Sequence, residues 1–242
     1  MCWPVGERPK NQPQKGRVYH CGGLLSPFKY CVKRVFMQVD QAIIKINKAA
    51  KIYKANLENQ NILFVFGAMK DGKPDLQTAE SIATLFQAIH FMHLTGNANK
   101  RITAAQFYDR ALTNRLGVKD YQFAPGNTSH KKLDVLEQFM QVDKIGRMIG
   151  NVNGNHLHLY TEKLVGTTNT GCMGLRLPDE ASDFFVPNSL LKGDVRDFID
   201  APGKTVFAIY KKHKSESEYT QRTYLHKSLT ECDAQDLWDR QN

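Results

Sequence analysis

The spacing of apolar residues predicts helices in the first half of the chain. From residue 40 to residue 57 the apolar positions repeat at steps of three and four residues, which places them on one stripe of a helix. A capping box of Thr103 with Gln106 begins a second predicted helix, and a third is predicted over about 129–142. Each of these helices has an apolar side, so we expect them to pack on a common core.

Short runs rich in β-branched and aromatic residues predict strands elsewhere. The runs 62–66 and 83–94 are interpreted as a pair of strands. A helix capped by Asn188 and reaching Phe198 is also predicted, and a Ser228/Glu231 capping box starts a C-terminal helix. The remaining predicted strands are 145–149, 156–160, 173–177, 184–186, 205–210 and 219–225. Helices followed by a mostly antiparallel sheet indicate the α+β class.

The pattern divides the 242 residues into three parts. Residues 1–38 are rich in Pro, Gly, Lys and Arg without sustained periodicity, and are interpreted as a basic arm or small subdomain. Residues 39–228 form the predicted α+β domain, and residues 229–242 form an acidic C-terminal helix.

The apolar runs are too short to predict a membrane-spanning helix, which needs about 18 apolar residues. The first residues also lack the apolar core of a signal peptide. Five scattered cysteines do not suit a secreted disulfide framework. The cytoplasm is therefore the expected compartment.

Positive charge is concentrated near the N-terminus. The chain has 33 basic and 24 acidic side chains, and residues 1–60 hold eleven of the basic against three of the acidic ones. Such an excess of positive charge favours binding to polyanions, so nucleic acid is the expected partner. The alternative interpretation is a basic face that is only solvated. The expected nucleic-acid-binding residues are Lys33, Arg34, Lys45, Lys48, Lys51, Lys54 and Lys212.

The chain lacks the motifs of phosphate-binding loops, zinc proteases and serine hydrolases. The pairs His90/His93 and His156/His158 have no adjoining carboxylate or cysteine cluster, so no metal site is predicted there. An alternative is a zinc site in the basic arm, although the spacing of its ligands matches no standard zinc finger. Its four candidate ligands are Cys2, His20, Cys21 and Cys31. We predict no cofactor.

Two segments carry groups suited to phosphate chemistry. His93 and Thr95 lie two apart at the end of a predicted strand, where both side chains point to one side and offer a proton-transfer group beside a hydroxyl. Lys163 and Thr167 belong to a Gly-containing turn of the type that grips phosphate oxygens. The alternatives are a buried histidine bonded to a carbonyl and a turn that is Thr-rich for conformational reasons.

Five segments, in the same order, resemble the fourth phage subgroup of the barnase, EndoU, colicin and RelE-like nucleases. They are FMHLTG at 91–96, the next helix with Phe107 and Tyr108, KLVGTT at 163–168, VPNSLLKGDV at 186–195, and AIYKK at 208–212 followed by Tyr219. The resemblance covers about residues 45–228. It implies helices packed on an antiparallel sheet and a metal-independent endoribonuclease of phage or mobile-element origin, acting as a toxin or in conflict between phage and host.

Nucleases of this fold cleave RNA by attack of the ribose 2′-hydroxyl on the adjacent phosphate, which needs a base, an acid and cations. The six implied site residues are His93, Thr95, Lys163, Thr167, Lys211 and Tyr219. The histidine would be base or acid, the lysines would stabilise charge, the threonines would bond the phosphate, and the tyrosine would donate a proton or stack on a base. These roles require His93, Thr95, Lys163, Thr167 and Lys211 to meet around one phosphodiester.

The alternative function is a catalytically inactive RNA- or protein-binding module, such as an inhibitor of a host defence complex. Besides RNA, a neutralising or host protein is an expected partner.

Overall fold

The computed structural model describes residues 37–154 and 160–240. The four candidate zinc ligands, Lys33, Arg34 and nearly all of the predicted strand 156–160 lie outside the described residues. The described α-helices are α1 (Val39–Asn56), α2 (Phe91–Thr95), α3 (Ala104–Leu112), α4 (Thr128–Phe139), α5 (Val142–Ile145) and α6 (Glu231–Asp239). None of these helices is long and apolar enough to cross a membrane.

Local sequence signals account for the helix starts. The apolar stripe of α1 is buried, as its spacing predicts. At the start of α3 the Thr103 hydroxyl accepts a hydrogen bond from the Gln106 N–H at 3.2 Å, which confirms the predicted capping box. The C-terminal helix is confirmed, but its capping box is Thr230 with Asp233 rather than Ser228 with Glu231.

The strands form one large curled sheet and one small hairpin. They are β1 (Gln60–Gly67), β2 (Met69–Lys70), β3 (Lys73–Pro74), β4 (Glu80–Leu85), β5 (Met148–Asn151), β6 (Lys163–Gly166), β7 (Gly171–Arg176), β8 (Val186–Lys192), β9 (Lys204–His213) and β10 (Gln221–Leu225). The large sheet has the order β4-β1-β9-β5-β6-β7-β8, with β10 also paired to β9, and β2 pairs with β3. All its ladders are antiparallel.

Strands β4 and β8, which lie at the two ends of this strand order, meet each other, so the sheet is curled. Phe185, just before β8, donates its N–H to the Ala83 carbonyl at 2.9 Å and accepts the Leu85 N–H at 2.8 Å. These bonds satisfy backbone groups that an open sheet would leave to solvent. The protein is therefore α+β with a curled antiparallel sheet, which confirms the predicted fold class.

Apolar residues of the sheet alternate between two faces. The inner face, which includes Phe64 and Val165, packs with α1, α3 and α4 in the largest core cluster. The outer face, which includes Val65 and Tyr210, is covered in part by Leu237 of α6. Burial on both sides explains why β1 is apolar at nearly every position.

Two predicted elements are wrong. The run 83–94 was expected to be strand, but β4 ends at Leu85 and residues 88–95 are helical, ending at Gly96 with φ 69°. A short apolar run does not distinguish a strand from a buried helix, and here the helical spacing of Phe91 and Leu94 buries both side chains. His93 and Thr95 are consequently not side by side on a strand.

The predicted helix 188–198 is instead β8 followed by a 3-10 turn at Val195–Asp197. Asn188 does not cap a helix; its Nδ2 donates to the Tyr160 carbonyl at 3.0 Å. Leu190 pairs with Met173 of β7. Pairing with a distant strand overrides the local helix signal here.

Candidate active site

Of the predicted site residues, His93 is exposed on α2, whereas Thr95 at the end of the same helix is fully buried. The Thr95 hydroxyl donates to the Met92 carbonyl at 2.8 Å, and the Thr95 carbonyl accepts the Tyr121 hydroxyl at 3.1 Å. Thr95 therefore closes the C-terminal end of α2 and does not face the same side as His93.

Lys163 and Thr167 lie at opposite ends of β6. Thr167 forms the β6–β7 turn, where its hydroxyl accepts the Thr170 N–H at 3.1 Å. Lys163 donates to Asn151 Oδ1 at 2.9 Å and lines a cavity of about 260 Å³. That cavity also contains Lys204, which pairs with Glu80 at 2.5 Å, so part of its positive charge is neutralised.

Lys211 and Tyr219 lie on opposite faces of the sheet. Lys211 is 11% exposed, and its Nζ is 3.3 Å from Oδ2 of Asp143, which is fully buried. Tyr219 is buried on the outer face, where the Lys212 ammonium lies 4.6 Å from its ring centroid and burial raises the pKa of its hydroxyl to about 12. The structure therefore does not bring the six predicted residues together in one site.

The predicted basic face of α1 is partly neutralised. Lys48 pairs with Glu137 of α4 at 2.6 Å, and Lys45 lies 3.9 Å from Asp134 of the same helix. Lys51 and Lys54 are exposed and make no ion pair within the described part of the chain. This second pair of lysines is the part of α1 that is open to an anionic partner.

Basic side chains lie near His93. The Lys132 ammonium, on the first turns of α4, donates to the His93 carbonyl at 2.9 Å. The close approach of α2 and α4 requires Gly96, because a Cβ there would lie 3.0 Å from the Ser129 Cα and 3.1 Å from the Lys132 Cδ. The Ser129 hydroxyl donates to the Gly96 carbonyl at 2.6 Å and ties the two helices together.

His90 and Arg176 complete this group, which we call the His–Lys cluster (His90, His93, Lys132 and Arg176). His90 is buried, and its Nδ1 accepts the Gln87 N–H at 3.3 Å, so Nε2 carries the proton of the neutral ring. Burial, then the charges of nearby His93 and Arg176, lower the pKa of His90 to about 4. Arg176 is exposed at the end of β7.

The surroundings of the cluster lower the pKa values of His93 and Lys132. Although the His93 side chain reaches solvent, partial desolvation of its ring, then the charges of Arg176 and Lys132, lower the pKa of His93 below its ordinary value, so the ring is mostly neutral at pH 7. Burial lowers the pKa of Lys132 to about 8, which leaves it mostly protonated at the same pH. Among the described residues, no member of the cluster forms an ion pair with a carboxylate.

Sequence reasoning missed Lys132 and Arg176. The available signal for Lys132 was the basic run His130-Lys131-Lys132 in a predicted helix, but its partner His93 lies 39 positions away.

Within residues 37–154 and 160–240, no group of three or more His, Cys, Asp or Glu side chains is placed to hold a metal ion.

The family model described as phage-Barnase-EndoU-ColicinE5/D-RelE like nuclease4 matches residues 45–228. The chain belongs to this nuclease family. The match confirms the resemblance and identifies a phage nuclease of the barnase/EndoU/RelE type. Comparison with curated proteins and with solved structures gave no match. In this nuclease, the matched residues include the whole His–Lys cluster.

Proposed function

We propose that this nuclease is a metal-independent endoribonuclease whose catalytic centre is the His–Lys cluster. The observation that carries the proposal is the contact of Lys132 with the His93 segment, near Arg176, in a group whose members form no ion pair with a carboxylate among the described residues. Because positive groups without a counter-ion attract anions, a backbone phosphate is the ligand that this surface favours.

The pKa values assign the roles in the reaction. Neutral His93 accepts the proton of the ribose 2′-hydroxyl, whose oxygen forms a bond to phosphorus. The bond from phosphorus to the 5′-oxygen breaks, and the Lys132 ammonium gives that oxygen a proton. Arg176 stabilises the negative charge that grows on the phosphate. The products are a 2′,3′-cyclic phosphate and a 5′-hydroxyl.

The other predicted residues take supporting roles in this proposal. Lys51 and Lys54 contact the RNA backbone outside the cleaved bond, because they are exposed and unpaired in the described chain. Thr95 supports His93 by closing α2 through the bond of its hydroxyl to the Met92 carbonyl. Lys211 supports the sheet through its pair with buried Asp143.

The test is cleavage of labelled single-stranded RNA in the presence of EDTA. We expect His93→Ala and Lys132→Ala each to lower turnover by about 10²-fold or more, with a cyclic phosphate on the wild-type product. Lys131→Ala, at an exposed neighbour on the same helix, is the matched control and retains turnover. Full activity of the His93 variant removes it from the mechanism, and salt-sensitive RNA retention without new ends favours the inactive RNA-binding module.

We further propose that the nuclease acts as a toxin or in conflict between phage and host. Expression in a bacterial cytoplasm should then arrest growth, and the arrest should disappear with His93→Ala. A neutralising protein partner would relieve the arrest when expressed together with the wild-type chain. Arrest that persists in the His93 variant contradicts a role through RNA cleavage.

A further inference from the structure

A second basic cavity lies where strand β9 changes neighbours. On the edge away from β1, β9 pairs with β5 at residues 204–205 and with β10 at residues 208–211. The two neighbours diverge between these positions and leave a cavity of about 390 Å³. Its lining residues are Arg147, Thr205, Tyr224, Leu225, His226 and Lys227. None of them belongs to the His–Lys cluster, and we call this the fork cavity.

One wall of the fork cavity is a stacked pair. The Arg147 guanidinium carbon lies 3.8 Å from the centroid of the Tyr224 ring. Arg147 also donates to the Gly146 carbonyl at 3.0 Å, which fixes the orientation of its planar group. Planar guanidinium and aromatic groups are the surfaces on which unpaired nucleobases stack in RNA-binding proteins.

His226 and Lys227 also line the fork cavity and supply donors for an anion. His226 Nδ1 accepts the Ser228 N–H at 3.3 Å, so the proton of the neutral ring lies on Nε2, where it is available to a ligand. Burial, then Lys227 and Arg147, lower the pKa of His226. Lys227 is exposed.

No described carboxylate neutralises the positive charge of the fork cavity. Within the part of the chain that the structure describes, Arg147, His226 and Lys227 form no ion pair with a carboxylate. The smaller cavity beside Lys204 differs, since Glu80 pairs with that lysine. The fork cavity therefore combines a stacking surface with uncompensated positive charge.

We propose that the fork cavity binds one nucleotide of a single-stranded RNA substrate, away from the cleaved bond. The base stacks on the Arg147–Tyr224 pair, and the phosphate lies against Lys227 and the Nε2 of His226. A volume of about 390 Å³ is within the range of about 300–1,000 Å³ that small-molecule sites occupy. This inference rests on the proposed function for the identity of the substrate.

The test measures binding and catalysis separately. A fluorescent single-stranded RNA with 2′-O-methyl groups, which block cleavage, is titrated with wild type and with Arg147→Gln, a change at an exposed position. Thermal unfolding of the variant checks that it is folded. We expect affinity about tenfold or more weaker in the variant, and with cleavable RNA a raised KM with little change in kcat. Lys119→Gln, an exposed lysine elsewhere, is the control for loss of one charge and retains affinity.

The outcomes separate this inference from the proposed catalysis. If Arg147→Gln binds the methylated RNA as well as wild type does, the fork cavity is not an RNA site. If a mononucleotide binds wild type as tightly as the oligonucleotide does, the cavity takes free nucleotides and the inference is also overturned. If wild type cuts no RNA but the Arg147 variant binds RNA more weakly, the fork site stands and the catalytic proposal fails.

Discussion

Replacing Lys132 by arginine should remove the alkaline limit of RNA cleavage. The pKa of Lys132 is about 8, so about nine tenths of its ammonium is protonated at pH 7 and about one tenth at pH 9. If Lys132 is the acid, the wild-type rate falls about tenfold between these two values. An arginine keeps its proton over this whole interval, so the cleavage rate of Lys132→Arg should not change between pH 7 and pH 9. The rate of the variant should be lower than that of wild type, because arginine is a poor proton donor.

The acid limit comes from His93 and has the opposite sign. His93 acts as a base only when neutral, so activity is lost as the pH falls through its pKa. Because partial desolvation and nearby positive charges lower that pKa below the ordinary value of 6.5, the acid limit lies below pH 6.5. The wild-type profile is therefore bell-shaped, and Lys132→Arg changes its alkaline side alone.

The assay is single-turnover cleavage of a fluorogenic RNA from about pH 5 to about pH 9.5, with the rate of uncatalysed hydrolysis subtracted. Lys131→Arg is the matched control, since residue 131 is exposed on the same helix and its variant should keep the wild-type profile. An alkaline limit that stays near pH 8 in Lys132→Arg would refute the role of Lys132 as the acid.

Two further predictions concern buried and exposed lysines. Lys211→Met leaves the buried Asp143 without its partner, so urea unfolding should show a free energy of unfolding lower by about 3–5 kcal/mol, and adding Asp143→Leu should partly restore it. Unchanged stability of the single variant contradicts this. The double variant Lys51→Gln/Lys54→Gln should reduce the slope of log affinity for RNA against log salt concentration by about one for each lysine. Lys48→Gln should leave this slope unchanged, because Glu137 already pairs with Lys48, and equal effects would contradict the distinction.

The sequence predicts elements whose signals are local. The apolar stripe of α1 and the capping box of α3 are formed by residues within one or a few turns, and both are found in the structure. The helix predicted over 188–198 is wrong because the conformation of this segment depends on pairing with β7, which no local pattern records. The strand predicted over 83–94 is wrong beyond Leu85 because apolar spacing over so few residues fits either a strand or a buried helix.

The candidate site was predictable only in part for a related reason. His93 stands out in the sequence as a group able to transfer protons, but the neighbours that tune it come from α4 and from the end of β7. Lys211 shows the converse problem. Its position in the sequence resembles that of a surface lysine, whereas the fold buries it beside Asp143. Charge and residue type are visible in a sequence, but burial and distant contacts are not.

The position of β9 has a consequence for synthesis of the nuclease. β9 lies between β1 and β5 in the sheet, yet the ribosome makes it after both of them. A nascent chain that stops before Lys204 leaves one edge of β1 and one edge of β5 unpaired, and such edges invite aggregation. We therefore expect prematurely terminated chains to aggregate or be degraded, so that a cell meets the active nuclease only after nearly complete translation.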